Sequence, residues 1–400
     1  MPPDIDLSPE AFAAGVPHDA FARLRAEAPV VWHANGDGTG FWVVTRYRDV
    51  MAVSLEPKTF SSAQGTLMRD FPGEEREAIL TQMINMDAPR HTRFRRLVNL
   101  GFSPKMTNRL VSHIRELATR IIDGVAARGE CDFVTEVAAE LPLQVIAEMM
   151  GIPLADRHLV FDWSNKMISF DDPEYQTSSD VGKIAAMEMY AYANELAVER
   201  RRCPHEDLVS VLMSAEVDGE KLTEVEFDSF FLLLAVAGNE TTRNLISGGM
   251  LALLEHPAEW ARLLANAALL PTAIEEMLRW VTPVMYFRRT ATRDTELRGQ
   301  AIREGDKVTI WYVAANRDEE VFRHADRFDV VREPNEHLGF GIGHHFCLGA
   351  NLARLEIQIM FEELLRRLPD LALAGPVERL RSNFINGLKR MPVRFTPERR

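Results

Sequence analysis

The chain has 400 residues, 46% of them apolar, and a formal net charge of −13. That apolar content is ample for a buried core, and the length fits two or three ordinary domains or one large-cored enzyme. The acidic balance disfavours nucleic acid or an anionic membrane as the main partner.

The three cysteines, Cys131, Cys203 and Cys347, form no disulfide framework and suit a reducing compartment. The opening stretch MPPDIDLSPEAFAAG has neither the basic nor the apolar region of a signal peptide. The longest apolar run, Phe230 to Gly238, falls far short of the ~20 residues of a membrane span. A cytoplasmic protein that does not span the membrane is expected.

Phe21 to Ala28 reads as a short helix stopped by Pro29. VVWH and FWVVT read as strands joined by the turn-rich ANGDGTG, and Arg48 to Leu55 as a further helix. From Ser61 to Ile84 the apolar period is lost, which predicts a surface loop or a lid over a site. NMDAPRHTRFRRLV sets His91 and Arg95 four apart on one helix face, with Phe94, Leu97 and Val98 on the other. Spacing alone equally fits a basic solvated face. Ile114 to Arg128, Leu141 to Met150 and Ile184 to Arg202 carry helical periodicity, whereas FDWSNKMISFDDPEY is aromatic, Met-rich and poorly periodic. No repeat, low-complexity tract or linker interrupts the chain, so one domain over residues 1–400 is expected.

Phe227 to Leu254 predicts a helix of roughly 40 Å at 1.5 Å per residue. Its apolar face is broken midway by AGNETT, where a buried Glu240 costs free energy unless it is used or satisfied. The Thr241 hydroxyl can bond back to a carbonyl one turn earlier, as an ordinary helix threonine also does. LPTAIEEMLRW places Thr272 and Glu275 at capping-box spacing. Glu276 and Arg279 stand three apart, alone no more than a common surface ion pair. PVMYFRRTATRD reads as extended, RGQAIREGDKVTIWYVAAN as two strands around Glu304-Gly305-Asp306, and NGLKRMPVRF as a closing strand.

FGIGHHFCLGA, Phe340 to Ala350, sets Cys347 among glycines and just before the amphipathic run LGANLARLEIQIMFEELLRRL. Helix starts favour anions by roughly 0.3–1 kcal/mol, which biases a thiol toward the thiolate that ligates metals. Gly341, Gly343 and Gly349 leave room for a flat, bulky partner. A dinucleotide fingerprint would need a third glycine. Zinc on His344, His345 and Cys347 would lack a CxxC or a second cluster.

This stretch resembles the haem-binding loop of the cytochrome P450 family, in which Phe, two Gly, His and Gly flank the axial Cys. Phe340, Gly341, Gly343, His345, Cys347 and Gly349 supply them all. The resemblance runs from about Phe21 to Phe395. It is strongest toward bacterial hydroxylases of steroids, methyl-branched lipids and isoprenoids, through ELPLQVIAEMMGIP, FDWSNKMI with DDPEY, LLLAVAGNETTRN and SNFINGLKRMPV. It implies a mainly α fold, a triangular helical prism with a smaller β-rich region. Haem b would lie between the long helix, at Ala237 and Gly238, and the helix after Cys347. Cys347 would be the axial ligand, and His91, Arg95, Arg289 and His345 would bind the propionates. Glu240 and Thr241 would relay protons. Glu276, Arg279 and a third arginine, Arg332 with Arg327 as the alternative, would hold the haem loop.

By the same resemblance, the protein is a monooxygenase that inserts one oxygen atom from O2 into a C–H bond of a small apolar substrate. The pocket lining would comprise Leu67, Met68, Phe71, Met167, Phe170, Leu234, Met285, Tyr286 and Phe287, with Ile385 narrowing the channel. Terminal or near-terminal hydroxylation of a branched fatty acid, isoprenoid or steroid side chain is expected. A terpenoid or steroid-ring hydroxylase, or a non-catalytic haem-thiolate sensor or carrier, are the alternatives. No flavin or dinucleotide motif is present, so electrons would come from an iron–sulfur ferredoxin and its NAD(P)H reductase. That donor would dock on a monomer through Arg93, Arg96 and Arg354.

Overall fold

Thr223 and Glu226 start the element that spans the molecule. The Thr223 hydroxyl accepts from the Glu226 amide at 3.3 Å, and the Glu226 carboxylate accepts from the Thr223 amide at 3.0 Å. This capping box opens the helix Glu224–Glu255 of the computed structural model, 32 residues and about 48 Å long. It begins three residues earlier than the apolar pattern suggests, because the cap rather than the first phenylalanine sets the boundary. The structure describes residues 5–36, 38–99, 102, 104–178, 180–217 and 220–399. Residues 1–4 of the opening stretch and Asp37 of the turn-rich loop lie outside it.

The long helix is buried on nearly every side, as a helix through the middle of a core must be. Helices Glu140–Met150, Leu270–Val281 and Ala350–Arg367 pack around it and share one extended apolar core with it. Two smaller apolar clusters lie about the main sheet. That sheet has five strands in the order Val30–Ala34, Gly40–Val44, Lys307–Trp311, Tyr286–Ala291 and Phe60–Ser61. Gly40–Val44 and Lys307–Trp311 run parallel and the other neighbours antiparallel. Val308 pairs with Arg289 and Thr309 with Arg288, so the pleat sends the two arginines to opposite faces. The architecture is mainly helical with a smaller β-rich part, as expected.

Several local expectations are corrected. The 61–84 segment contains a helix, Gly73–Leu80, and the weakly periodic FDWSNKMI lies in the helix Arg157–Ile168. Packing of Arg157–Ile168 against several elements hides its 3.6 period. The strands either side of Glu304-Gly305-Asp306 join different sheets, Gln300–Ile302 pairing with Thr295–Leu297. NGLKRMPVRF splits at Met391 into Leu388–Arg390 and Pro392–Arg394, again in separate sheets. Thr272 is not a cap: it lies inside Leu270–Val281, its hydroxyl donating to the Leu269 and Val330 carbonyls at 2.8 and 2.9 Å. Pro271 lies in the first turn of that helix, where its missing N–H needs no partner.

Candidate functional site

Cys347 sits in a tight loop three residues ahead of the helix Ala350–Arg367. Its amide donates to the Phe340 carbonyl at 2.9 Å, and Arg95 Nη2 holds the Phe346 carbonyl at 2.8 Å. Gly341 and Gly343 adopt φ +68° and +77°, and a Cβ on Gly343 would stand 2.9 Å from the Ser54 carbonyl. Those two glycines therefore make the turn rather than clear a face; only Gly349 borders open space. The thiolate bias read from the helix start is also corrected. Burial pushes the Cys347 thiol up, and the Gly349 amide, Arg95 and Arg354 offset this only in part. Desolvation outweighs a helix start three residues away. Among the described residues no group of three His, Cys, Asp or Glu side chains is placed to hold a metal ion.

Beside the loop lies a buried group of donors. The His91 and His345 rings are 4.3 Å apart, and His91 Nε2 is buried without a partner. Desolvation and neighbouring cations hold His91 down at about 4 and His345 at about 2, so both are neutral. Arg289 is buried, its Nη1 donating to the adjacent Arg288 carbonyl at 2.9 Å. The field of Asp87 reaches both His91 and Arg289, yet its oxygens are taken by the Ser61 hydroxyl and the Ser62 amide. Buried donors with too few acceptors fit an anionic guest. The two propionates of a haem would answer that requirement.

The acid-threonine pair lies in the middle of the long helix. Thr241 Oγ1 donates to the Ala237 carbonyl at 2.9 Å, and Ala237 is exposed to open space. At Gly238 a Cβ would meet Ile146 at 2.9 Å, so the missing side chain lets Glu140–Met150 pack close. Glu240 is fully buried and burial pushes its carboxyl up, against the attraction of Arg243. One carboxylate oxygen takes Arg243 Nη2 and the other, Oε1, is buried without a partner. Arg243 Nη1 donates to Asn165 Oδ1 at 2.8 Å, tying the pair to the helix Arg157–Ile168. Sequence reasoning missed Arg243 and Asn165. The signal was there: an arginine three residues after a glutamate in an otherwise apolar helix.

The expected lining residues divide between two clusters. Leu67, Met68, Phe170, Met285, Phe287 and Ile385 gather near the sheet, while Met167 and Leu234 join the helical core. Phe71 lies under the Arg69 guanidinium. Ile385 bridges to Val284, and the Met285 amide donates to the Phe384 carbonyl at 2.9 Å. Tyr286 does not face a pocket. Its ring packs on Trp311 and Phe384 and its hydroxyl accepts the Met68 amide at 3.3 Å.

Glu276 and Arg279 are fully buried, not a surface pair. Glu276 receives two bonds of 2.7 Å from Arg279 and one of 3.0 Å from Arg332 Nε. Arg327 contributes its carbonyl, to Arg279 and Arg332 at 3.0 and 2.8 Å. Arg332 is thus the third arginine. Arg354 grips Glu275 with two bonds of 2.6 and 2.8 Å, which corrects its reading as a docking cation.

Comparison with known proteins identifies the family. The sequence model of the family described as Cytochrome P450 matches residues 12–369. A steroid C26-monooxygenase from Rhodococcus jostii is 44% identical over 407 residues, 99% of this chain and 85% of that protein. A methyl-branched lipid omega-hydroxylase from Mycobacterium tuberculosis is 45% identical over 388 residues, 94% of this chain and 90% of its own. A solved Mycobacterium marinum cytochrome P450 in complex with pseudoionone superposes with a TM-score of 0.92 at 42% identity, covering 99% of both chains. Among the described residues no helix is long and apolar enough to cross a membrane.

Proposed function

The chain belongs to the cytochrome P450 family, and from that premise we propose that it hydroxylates the terminal or near-terminal carbon of an alkyl tail on an apolar lipid. The reaction class is monooxygenation: with two electrons and two protons, one atom of O2 enters a C–H bond and the other leaves as water. Haem b is the cofactor and, when bound, supplies oxygen activation and electron transfer. Cys347 would ligate its iron, with His91, Arg95, Arg289 and His345 as propionate donors. Thr241 would present its hydroxyl where a proton is needed, shifting its hydrogen bond away from Ala237. Glu240 would pass protons inward through ordered water, its unpartnered Oε1 being the acceptor that such a relay needs. The electrons come from a separate redox partner, for which we propose an iron–sulfur ferredoxin and its NAD(P)H reductase. A monomer of one domain, residues 1–400, in the cytoplasm is the simplest working unit.

The observation that carries the reading is the buried Glu240 beside Thr241, a proton-handling pair that a haem carrier has no use for. For the substrate, the lining is aliphatic, aromatic and Met-rich, so a bulky hydrocarbon gains about 25 cal/mol per Å2 buried. Two relatives are named for attack at a chain end, at C26 and at the omega position. The reconstituted enzyme should be given a methyl-branched fatty acid, a sterol with a side chain and a compact cyclic terpenoid, and the products located by mass spectrometry. Tail-end alcohols are expected. Turnover of the terpenoid alone, or oxidation confined to ring carbons, would overturn the proposal in favour of a regioselective terpenoid or steroid-ring hydroxylase.

A further inference from the structure

We infer that Arg69 receives the carboxylate head of an amphipathic lipid whose tail runs inward toward Thr241 and Cys347. The inference rests on the tail-first reading above and narrows its substrate class to anionic lipids. Arg69 lies in the 62–72 loop, and its guanidinium carbon is 4.3 Å from the Phe71 ring centroid and 3.9 Å from that of Phe170. Phe170 follows the helix Arg157–Ile168, so the cation joins two separate segments. Phe170 stacks on Phe384, and Phe384 packs on Phe287, which continues the apolar wall from the arginine inward.

The two rings flank a guanidinium that remains exposed, so its N–H groups are open to a ligand. They form the planar fork that a carboxylate binds bidentately. The acids nearby do not occupy it. Asp70 is spent on Arg288 and Lys307, at 2.7 and 2.5 Å. The fields of Asp171 and Glu75 reach Arg69, but among the described residues neither forms an ion pair or hydrogen bond with it. Burial pushes the Asp171 carboxyl up to about 6, so at neutral pH it is still largely ionised and opposes an anionic head. An amphipathic acid would therefore leave its head on the guanidinium N–H groups beside the rings and send its tail along Phe384 and Phe287.

The test is a titration of the holoenzyme with a methyl-branched fatty acid and with its methyl ester, followed by the substrate-induced Soret shift. Wild type should bind the acid more tightly than the ester. Arg69→Gln should weaken the acid by about tenfold or more and leave the ester nearly unchanged. Arg69→Lys should recover only part, since an ammonium lacks the planar fork. Asp171→Asn should tighten the acid alone, and it decides the matter if Arg69→Gln yields no holoprotein. Equal wild-type affinity for acid and ester, or an equal loss of both in Arg69→Gln, would overturn the inference. Product position separates the two readings. Acid-selective binding with ring or mid-chain oxidation sinks the tail-first reading and leaves the head site, and terminal hydroxylation without head selectivity does the reverse.

Discussion

Cys347 and Glu240 share a physical predicament. Burial pushes both toward their neutral forms, yet each is read as acting through its charge. In Cys347 the charge must come from the partner: a metal ion outweighs desolvation and removes the thiol proton. Reduced protein under carbon monoxide should therefore show a thiolate-type red-shifted Soret band that Cys347→Ser loses, while Cys131→Ser and Cys203→Ser keep it. For Glu240 the charge is held by Arg243, which leaves one oxygen to trade protons. Thr241, half-buried and bonded to the Ala237 carbonyl, is the only hydroxyl of the two-residue pair. Thr241→Ala should keep substrate binding and lose about tenfold or more of product per NAD(P)H, the electrons appearing as peroxide or water. An unchanged yield would sink the relay. At this scale the sequence was highly legible, since a cysteine among glycines and an acid in an apolar helix are locally anomalous. What escaped was the direction each side chain takes. The close approach of Ile146 to Gly238 and the turning of Tyr286 into the core depend on packing that no window of sequence contains.

Elements meet through a few charge pairs, and one of them joins the helix Leu270–Val281 to the helix after Cys347. Glu275, on Leu270–Val281, is pulled upward by burial, but its bonds with Arg354 and His337 hold it down at about 2. A carboxyl held below its ordinary 4.5 stabilises the fold at every pH above that value. The contribution fades as pH falls from there toward 2. Glu275→Gln should cost on the order of 2–3 kcal/mol at neutral pH, and the gap to wild type should close between pH 4.5 and 2. Unfolding curves taken across that range decide it, and a gap that stays constant would show the ion pair is not its source. The same helix shows where element boundaries hide. Thr272-x-x-Glu275 and Thr223-x-x-Glu226 carry one signature, yet only the second is a capping box. At the first, Glu275 is claimed by Arg354, which is distant in sequence. The Arg157–Ile168 helix was unreadable for a related reason: contacts on several faces erase the period that marks an amphipathic helix.

Across the whole molecule, a net charge of −13 repels an acidic electron donor, so approach must be local. The cysteine side of the site offers such a locality. Arg93 and Arg96 lie on the helix Arg90–Asn99, with Arg96 exposed, and the Phe346 ring next to the ligand is 42% exposed. Arg354 no longer belongs to that set, because its guanidinium is committed to Glu275. This separates two outcomes that the sequence alone merged. Arg96→Glu should slow reduction by an iron–sulfur donor and leave thermal stability close to wild type. Arg354→Glu should instead place two carboxylates together and destabilise the joint behind the loop. In wild type the reduction rate should fall as salt rises, since the Debye length is only about 10 Å at 0.1 M and rim charges act mainly on association. A rate independent of salt, or one equally reduced in both variants, would mean that the donor is not steered to this face by charge. The exposed Phe346 would then be left to provide the contact by apolar burial alone.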